Sequence, residues 1–118
     1  MAWMSQLLPA ETPLAMTEPA AAPPELPAMA LLLDVRSYAE FMSGHLPGAH
    51  SLPLPQLERE VMQRAPDRHA PLVLYCSTGA RAEQALGLLQ HMGYSDAHNG
   101  GAAVALARRL GVELQRGL

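Results

Sequence analysis

The chain has 118 residues, 49% hydrophobic and 16% charged, with a formal net charge of −3. This describes one globular domain with a single core, and it offers no basic field for a nucleic acid or an anionic membrane surface. One cysteine excludes an internal disulfide, and no apolar run reaches the length of a membrane-spanning helix.

The first 28 residues are set apart by Pro9, Pro13, Pro19, Pro23, Pro24 and Pro27 among many alanines. Proline removes backbone donors and fixes φ, so no stable helix is expected over most of this stretch. Residues 1–28 are read as a flexible arm and 29–118 as the folded domain. No Lys or Arg precedes Arg36, and Leu7-Leu8-Pro9 is too short for the apolar centre of a secretory leader. A cytoplasmic location is therefore expected, with the periplasm as the alternative if a leader has been removed.

From Met29 the texture changes. Leu31–Val35 is a short apolar run interrupted by an acid, consistent with a buried parallel strand. Ser37, followed three residues later by Glu40, is positioned to cap a short helix. Residues 44–50 are loop punctuation and lead to a brief strand over 50–52, which Pro53 and Pro55 end. Leu54, Leu57, Val61 and Met62 recur at helical spacing, so a helix is expected over 55–65 and Pro66 stops it. A strand over 72–75 precedes a helix over 82–92 whose Ala85, Leu88, Leu89 and Met92 share a face, with Gly93 as its terminator. A strand over 94–98, a turn at Asn99-Gly100-Gly101 and a helix over 102–110 complete the pattern. Strands alternating with helices at this spacing predict an α/β fold, a small parallel sheet with helices on both faces. Met29, Met42, Met62 and Met92 are read as core filling.

The chemistry concentrates on Tyr75-Cys76-Ser77-Thr78-Gly79-Ala80-Arg81. Cys76 ends a predicted strand, where ligands bind in open parallel sheets. The residues after it turn into a helix whose first N–H groups have no intrahelical acceptor, and successive N–H groups in such a turn cradle an anion. A thiol held there ionises more readily, Arg81 adds a cation at the rim, and Gly79 lets the backbone curl closely. A lone cysteine is more often a small buried hydrophobe, but the sequence strand, C-x-x-G-x-R, helix serves no packing purpose. Cys76 is therefore the candidate nucleophile. Asp34 and Arg36 lie at another strand end. Asp34 is expected to accept loop N–H bonds and Arg36 to brace adjacent loops, with a direct substrate contact by Arg36 as the second possibility. His45 and His50 are read as loop ties rather than acid–base groups. Gly100 and Gly101 are expected to permit a tight backbone approach near the site.

These segments together resemble the rhodanese family. Asp34-Val35-Arg36, Glu40-Phe41, Gly44-His45-Leu46-Pro47-Gly48-Ala49, Leu74 to Arg81, Gly93-Tyr94 and Asn99-Gly100-Gly101 are similar to its motifs in order and spacing. The resemblance covers about residues 31–112 and is nearest to the small single-domain type represented by phage-shock protein E. It implies a thiosulfate sulfurtransferase without cofactor or metal. Cys76 would take sulfane sulfur from a small donor as a persulfide and pass it to cyanide, to a thiol, or to a sulfur-accepting protein. Ser77, Thr78, Gly79, Ala80 and Arg81 would supply the N–H groups that bind substrate, with Asp34, Gly100 and Gly101 supporting the site. Two features depart from the pattern: no tryptophan follows the glycine pair, and the loop has one basic residue where some thiosulfate-using members have two.

Related phosphatases and arsenate reductases place five residues between Cys and Arg, whereas four separate Cys76 from Arg81. The smaller ring suits one sulfur atom better than a tetrahedral phosphate, which ranks that chemistry below sulfur transfer. A non-catalytic interaction module and a persulfide carrier serving one protein partner remain as alternatives.

Overall fold

The computed structural model describes residues 26–117. The predicted arm falls largely on residues 1–25, which lie outside that range. Four strands form one all-parallel sheet: β1 (Leu31–Asp34), β2 (His50–Ser51), β3 (Leu72–Cys76) and β4 (Ala97–Ala102), in the order β2-β1-β3-β4. The helices are α1 (Tyr38–Ser43), α2 (Leu57–Arg64), α3 (Ala80–His91) and α4 (Ala103–Leu110), and a single 3-10 turn at Leu54–Gln56 leads into α2.

Every residue of β3 is buried, as expected for a central parallel strand covered on both faces. Its side chains alternate between two cores. Leu72, Leu74 and Cys76 join Leu33, Val35, Leu57, Val61, Ala85 and Leu89 under α2 and α3. Val73 and Tyr75 join Leu46, Ala103, Leu106 and Ala107 under α4, where Leu26 and Ala30 also pack. The α/β architecture with helices on both faces is thus as the periodicity indicates.

Three expectations need correction. Asn99-Gly100-Gly101 is strand, not turn: β4 runs through it and pairs with β3, with an irregularity in register between Leu74 and Cys76. A Cβ on Gly100 would sit 2.8 Å from Val73 Cγ1 and 3.0 Å from Leu106 Cδ2, so the strand approaches its neighbours only because glycine is there. α3 begins at Ala80, two residues before the expected start. Met29 and Met62 are exposed, at 84% and 40%, and do not fill the core.

The strand order reverses between β1 and β3, which run side by side with Asp34 opposite Tyr75. The chain leaves β1 towards one sheet edge and β3 towards the other. A crevice forms at such a switch point beyond the carboxyl ends of the strands, and Asp34 and Cys76 stand at those ends.

Candidate active site

Cys76 is fully buried at the last position of β3. The chain then turns through Ser77 and Thr78 to Gly79, which caps α3 in the left-handed region at φ 95°. A side chain is strained at that angle, so glycine is what allows the loop to fold back over the sulfur. The Gly79 N–H donates to Cys76 Sγ at 2.9 Å. Burial pushes the thiol's pKa up, but N–H groups of Ala82, Thr78, Gly79 and Arg81 together outweigh it and hold the thiol below its ordinary value. The site is therefore a cradle of backbone dipoles around the Cys76 sulfur.

Of the five expected donors, Thr78, Gly79 and Arg81 are in this set, and Ser77 and Ala80 are not. The N–H of Ala80 points to Thr78 Oγ1 at 3.4 Å, and the hydroxyl of Ser77 donates to Glu40 Oε2 at 3.0 Å. Ala82 takes part instead. With α3 starting at Ala80, Arg81 and Ala82 occupy its first turn, where N–H groups lack intrahelical acceptors. Placing the start at Ala82 in the sequence hid this.

Arg81 does not stand alone at the rim. Its guanidinium grips Glu40 through Nη1–Oε1 at 2.8 Å and Nη2–Oε2 at 3.0 Å. This planar two-point contact holds the Glu40 carboxyl well below the usual carboxylate range. The same carboxylate accepts the Ser37 N–H at 3.0 Å and closes a capping box with Ser37 on α1. Glu40 thus fastens the start of α1 to the cysteine loop. The capping box was legible from Ser37 and Glu40, whereas the link to Arg81 spans a sequence separation of 41 and carries no local signal.

Arg36 and Asp34 form a buried pair. Arg36 Nη2 lies 2.6 Å from Asp34 Oδ2 and 2.6 Å from the Gly44 carbonyl, and Arg36 Nε donates to Asp34 Oδ1 at 2.9 Å. Its guanidinium carbon stands 5.6 Å from the centre of the Tyr75 ring. The Arg36 side chain is committed to these neighbours, and the geometry matches loop bracing rather than substrate contact. Tyr75 OH accepts the Leu46 N–H at 3.0 Å, which ties the same loop to β3. His45 is buried and stacked on Phe41 with ring centres 3.9 Å apart, and its Nδ1 lies 3.0 Å from the Phe41 carbonyl. It ties down the loop, as read from the sequence, while His50 is exposed.

Asn99 supports the far side. Its Nδ2 donates to the Gly79 carbonyl at 3.2 Å and to Glu83 Oε1 at 2.9 Å, while its Oδ1 accepts the Gly101 N–H at 2.8 Å. A Cβ on Gly79 would lie 3.5 Å from Gly101 Cα, so the two glycines set how closely β4 backs the loop. Among the described residues no cluster of His, Cys, Asp and Glu could hold a metal, and no helix is long and apolar enough to cross a membrane.

The parallel sheet thus ends in a cradle of backbone N–H groups around one cysteine sulfur, and the cradle continues into a helix. The family model for the rhodanese-like domain matches residues 17–102, and the chain belongs to that family. The thiosulfate sulfurtransferase PspE of Escherichia coli strain K12 is 29% identical over 75 residues, covering 64% of this chain and 72% of PspE. A sulfurtransferase of Allochromatium vinosum is 37% identical over 79 residues, covering 66% of this chain and 72% of that protein. Among solved structures, a rhodanese with anions from E. coli superimposes with a TM-score of 0.69 at 26% identity, covering 75% of this chain and all of that one.

Proposed function

We propose that this domain moves sulfane sulfur from a small donor such as thiosulfate to a thiol or cyanide, carrying it on Cys76. The Cys76 thiolate attacks the outer sulfur of thiosulfate. A bond forms between the two sulfurs, the bond from that outer sulfur to the sulfonate breaks, and sulfite leaves with the electron pair. Cyanide or a thiolate then attacks the terminal sulfur of the persulfide, departs as thiocyanate or a new persulfide, and regenerates the thiolate. No proton has to move in either half of this cycle. A protein acceptor would use the same second step.

The observation that carries the proposal is the set of four N–H groups converging on one buried sulfur, which favours the anion without a neighbouring base. The PspE and A. vinosum names support the same chemistry. The test is intact-mass measurement after incubation with thiosulfate. One added sulfur atom, removed by cyanide and absent in Cys76→Ser, is the expected result. No adduct with thiosulfate or with other sulfane donors would overturn the proposal.

A further inference from the structure

Arg68 precedes β3, at the end of that strand away from Cys76. Its carbonyl accepts the Ser95 N–H at 2.9 Å, and its stem lies over Gly93, where a Cβ would meet Arg68 Cδ at 3.4 Å. So held, the side chain reaches α2, and Arg68 Nη2 donates to Met62 Sδ at 3.4 Å. A thioether is a weak acceptor, and among the described residues no carboxylate forms an ion pair with this guanidinium. The Tyr94 hydroxyl also lies 3.5 Å from Met62 Sδ, but its one proton has the Ala65 carbonyl at 2.6 Å as the closer and stronger acceptor. Arg68 is therefore the donor that serves the sulfur. Met62 is at the same time 40% exposed. An accessible thioether is thus held against a cationic donor.

We propose that Met62 is an oxidation site for hydrogen peroxide, with Arg68 placed to receive the oxygen atom that oxidation adds. A lone pair of the sulfur attacks one peroxide oxygen, so an S–O bond forms and the O–O bond breaks. The other oxygen leaves with the electron pair as hydroxide and takes the proton from the transferred oxygen, which yields water and a sulfoxide. The sulfur is oxidised by two electrons and the peroxide is reduced by the same two. Negative charge develops on the leaving oxygen and then rests on the sulfoxide oxygen, and a guanidinium already at the sulfur stabilises both. Oxidation converts a weak acceptor into a strong one where a charged donor is in position. This chemistry is independent of sulfur transfer at Cys76.

Met29 is the internal reference. It is 84% exposed against 40% for Met62, so accessibility alone sets the Met62 rate at roughly half that of Met29. Peptide mass spectrometry of the full chain in dilute hydrogen peroxide follows both sulfoxides, and Cys76→Ser as the background removes the one competing thiol. Met62 is expected to oxidise at least as fast as Met29. Adding Arg68→Ala should lower the Met62 rate about fivefold and leave the Met29 rate within about twofold, because only Met62 loses its donor. Arg68→Lys should recover part of the Met62 rate, since it keeps the charge without the planar fork. Tyr94→Phe should leave the Met62 rate within about twofold, because its proton serves Ala65. A Met62 rate at or below half that of Met29 before any change at Arg68, or a ratio of the two rates that Arg68→Ala leaves unchanged, would overturn the proposal. A fall in Tyr94→Phe as large as in Arg68→Ala would overturn the assignment of Arg68 as the donor.

Discussion

Two glycine-to-alanine substitutions should move stability in opposite directions. At Gly100 the new methyl group would lie 2.8 Å from Val73 Cγ1, 3.0 Å from Leu106 Cδ2 and 3.2 Å from the Leu74 carbonyl oxygen. Two of these contacts are closer than carbon atoms pack, and the third is to backbone, so β4 has to move away from β3. Overpacking of this kind costs about 1–3 kcal/mol, and at ~2 kcal/mol the midpoint of thermal unfolding of a domain this size falls by roughly 8–16 °C. The displacement reaches the site, because Asn99 and Gly101 on the same strand hold Gly79. Cys76 alkylation in Gly100→Ala should therefore shift toward the pH of a free thiol. Gly87 is the opposite case. It lies within α3 with nothing within 4 Å of an added Cβ. Gly87→Ala should stabilise the domain by about 0.5–1 kcal/mol through helix propensity and the smaller entropy of the unfolded chain, with no change at the thiol. Thermal melts and iodoacetamide pH profiles of the two variants and the wild type decide the matter. A Gly100→Ala protein that melts with the wild type would show that the β3–β4 approach is not close, and the account of how β4 positions the loop would fail with it.

The Arg81–Glu40 pair makes a second test. Arg81→Ala leaves the Glu40 carboxylate unbalanced near the sulfur and should raise the alkylation midpoint of Cys76 by about one pH unit, Glu40→Gln should lower it, and the double variant should return near wild type; a double variant that stays as far displaced as Arg81→Ala would show that Glu40 has no electrostatic part. A third test uses acid. Because the folded-state pKa of Glu40 is depressed, the pair's stabilisation is fully present above the ordinary glutamate value of about 4.3 and is lost as pH falls through the depressed value. The difference in Tm between wild type and Glu40→Gln should accordingly be largest above that value and shrink on acidification, and a difference independent of pH would contradict the sign.

The strands and helices were legible where one short-range rule governed them. Leu31–Leu33 and Leu72–Leu74 are continuous apolar runs because both faces of a parallel strand are covered, and Ser37 with Glu40 is a capping signal complete within four residues. Errors arose where tertiary contact overruled local preference. Asn and Gly at 99–101 are turn formers, yet they sit in a strand that pairs with β3, and at Gly100 Val73 and Leu106 leave no room for a side chain. The start of α3 was misplaced because its cap is a left-handed glycine with no side chain to signal it. The cradle around Cys76 was legible from the residues that flank it. The partner of Arg81 was not, since it depends on elements brought together from distant parts of the chain.

The cradle also bears on why the proposed cycle asks for no acid–base residue. A thiolate and a persulfide carry the same single negative charge, so in the proposed cycle the sulfur that the loop stabilises is an anion before and after each transfer. Fixed backbone dipoles suit such a charge, because they need no reorganisation and change no protonation state between half-reactions. The side chains around the loop fit that division of labour. His45 is stacked on Phe41 with its Nδ1 beside a carbonyl, burial holds the Tyr75 hydroxyl neutral while it accepts the Leu46 N–H, and Arg81 is matched by Glu40. Each fixes the shape of the loop and leaves the sulfur's charge to the N–H groups of Ala82, Thr78, Gly79 and Arg81.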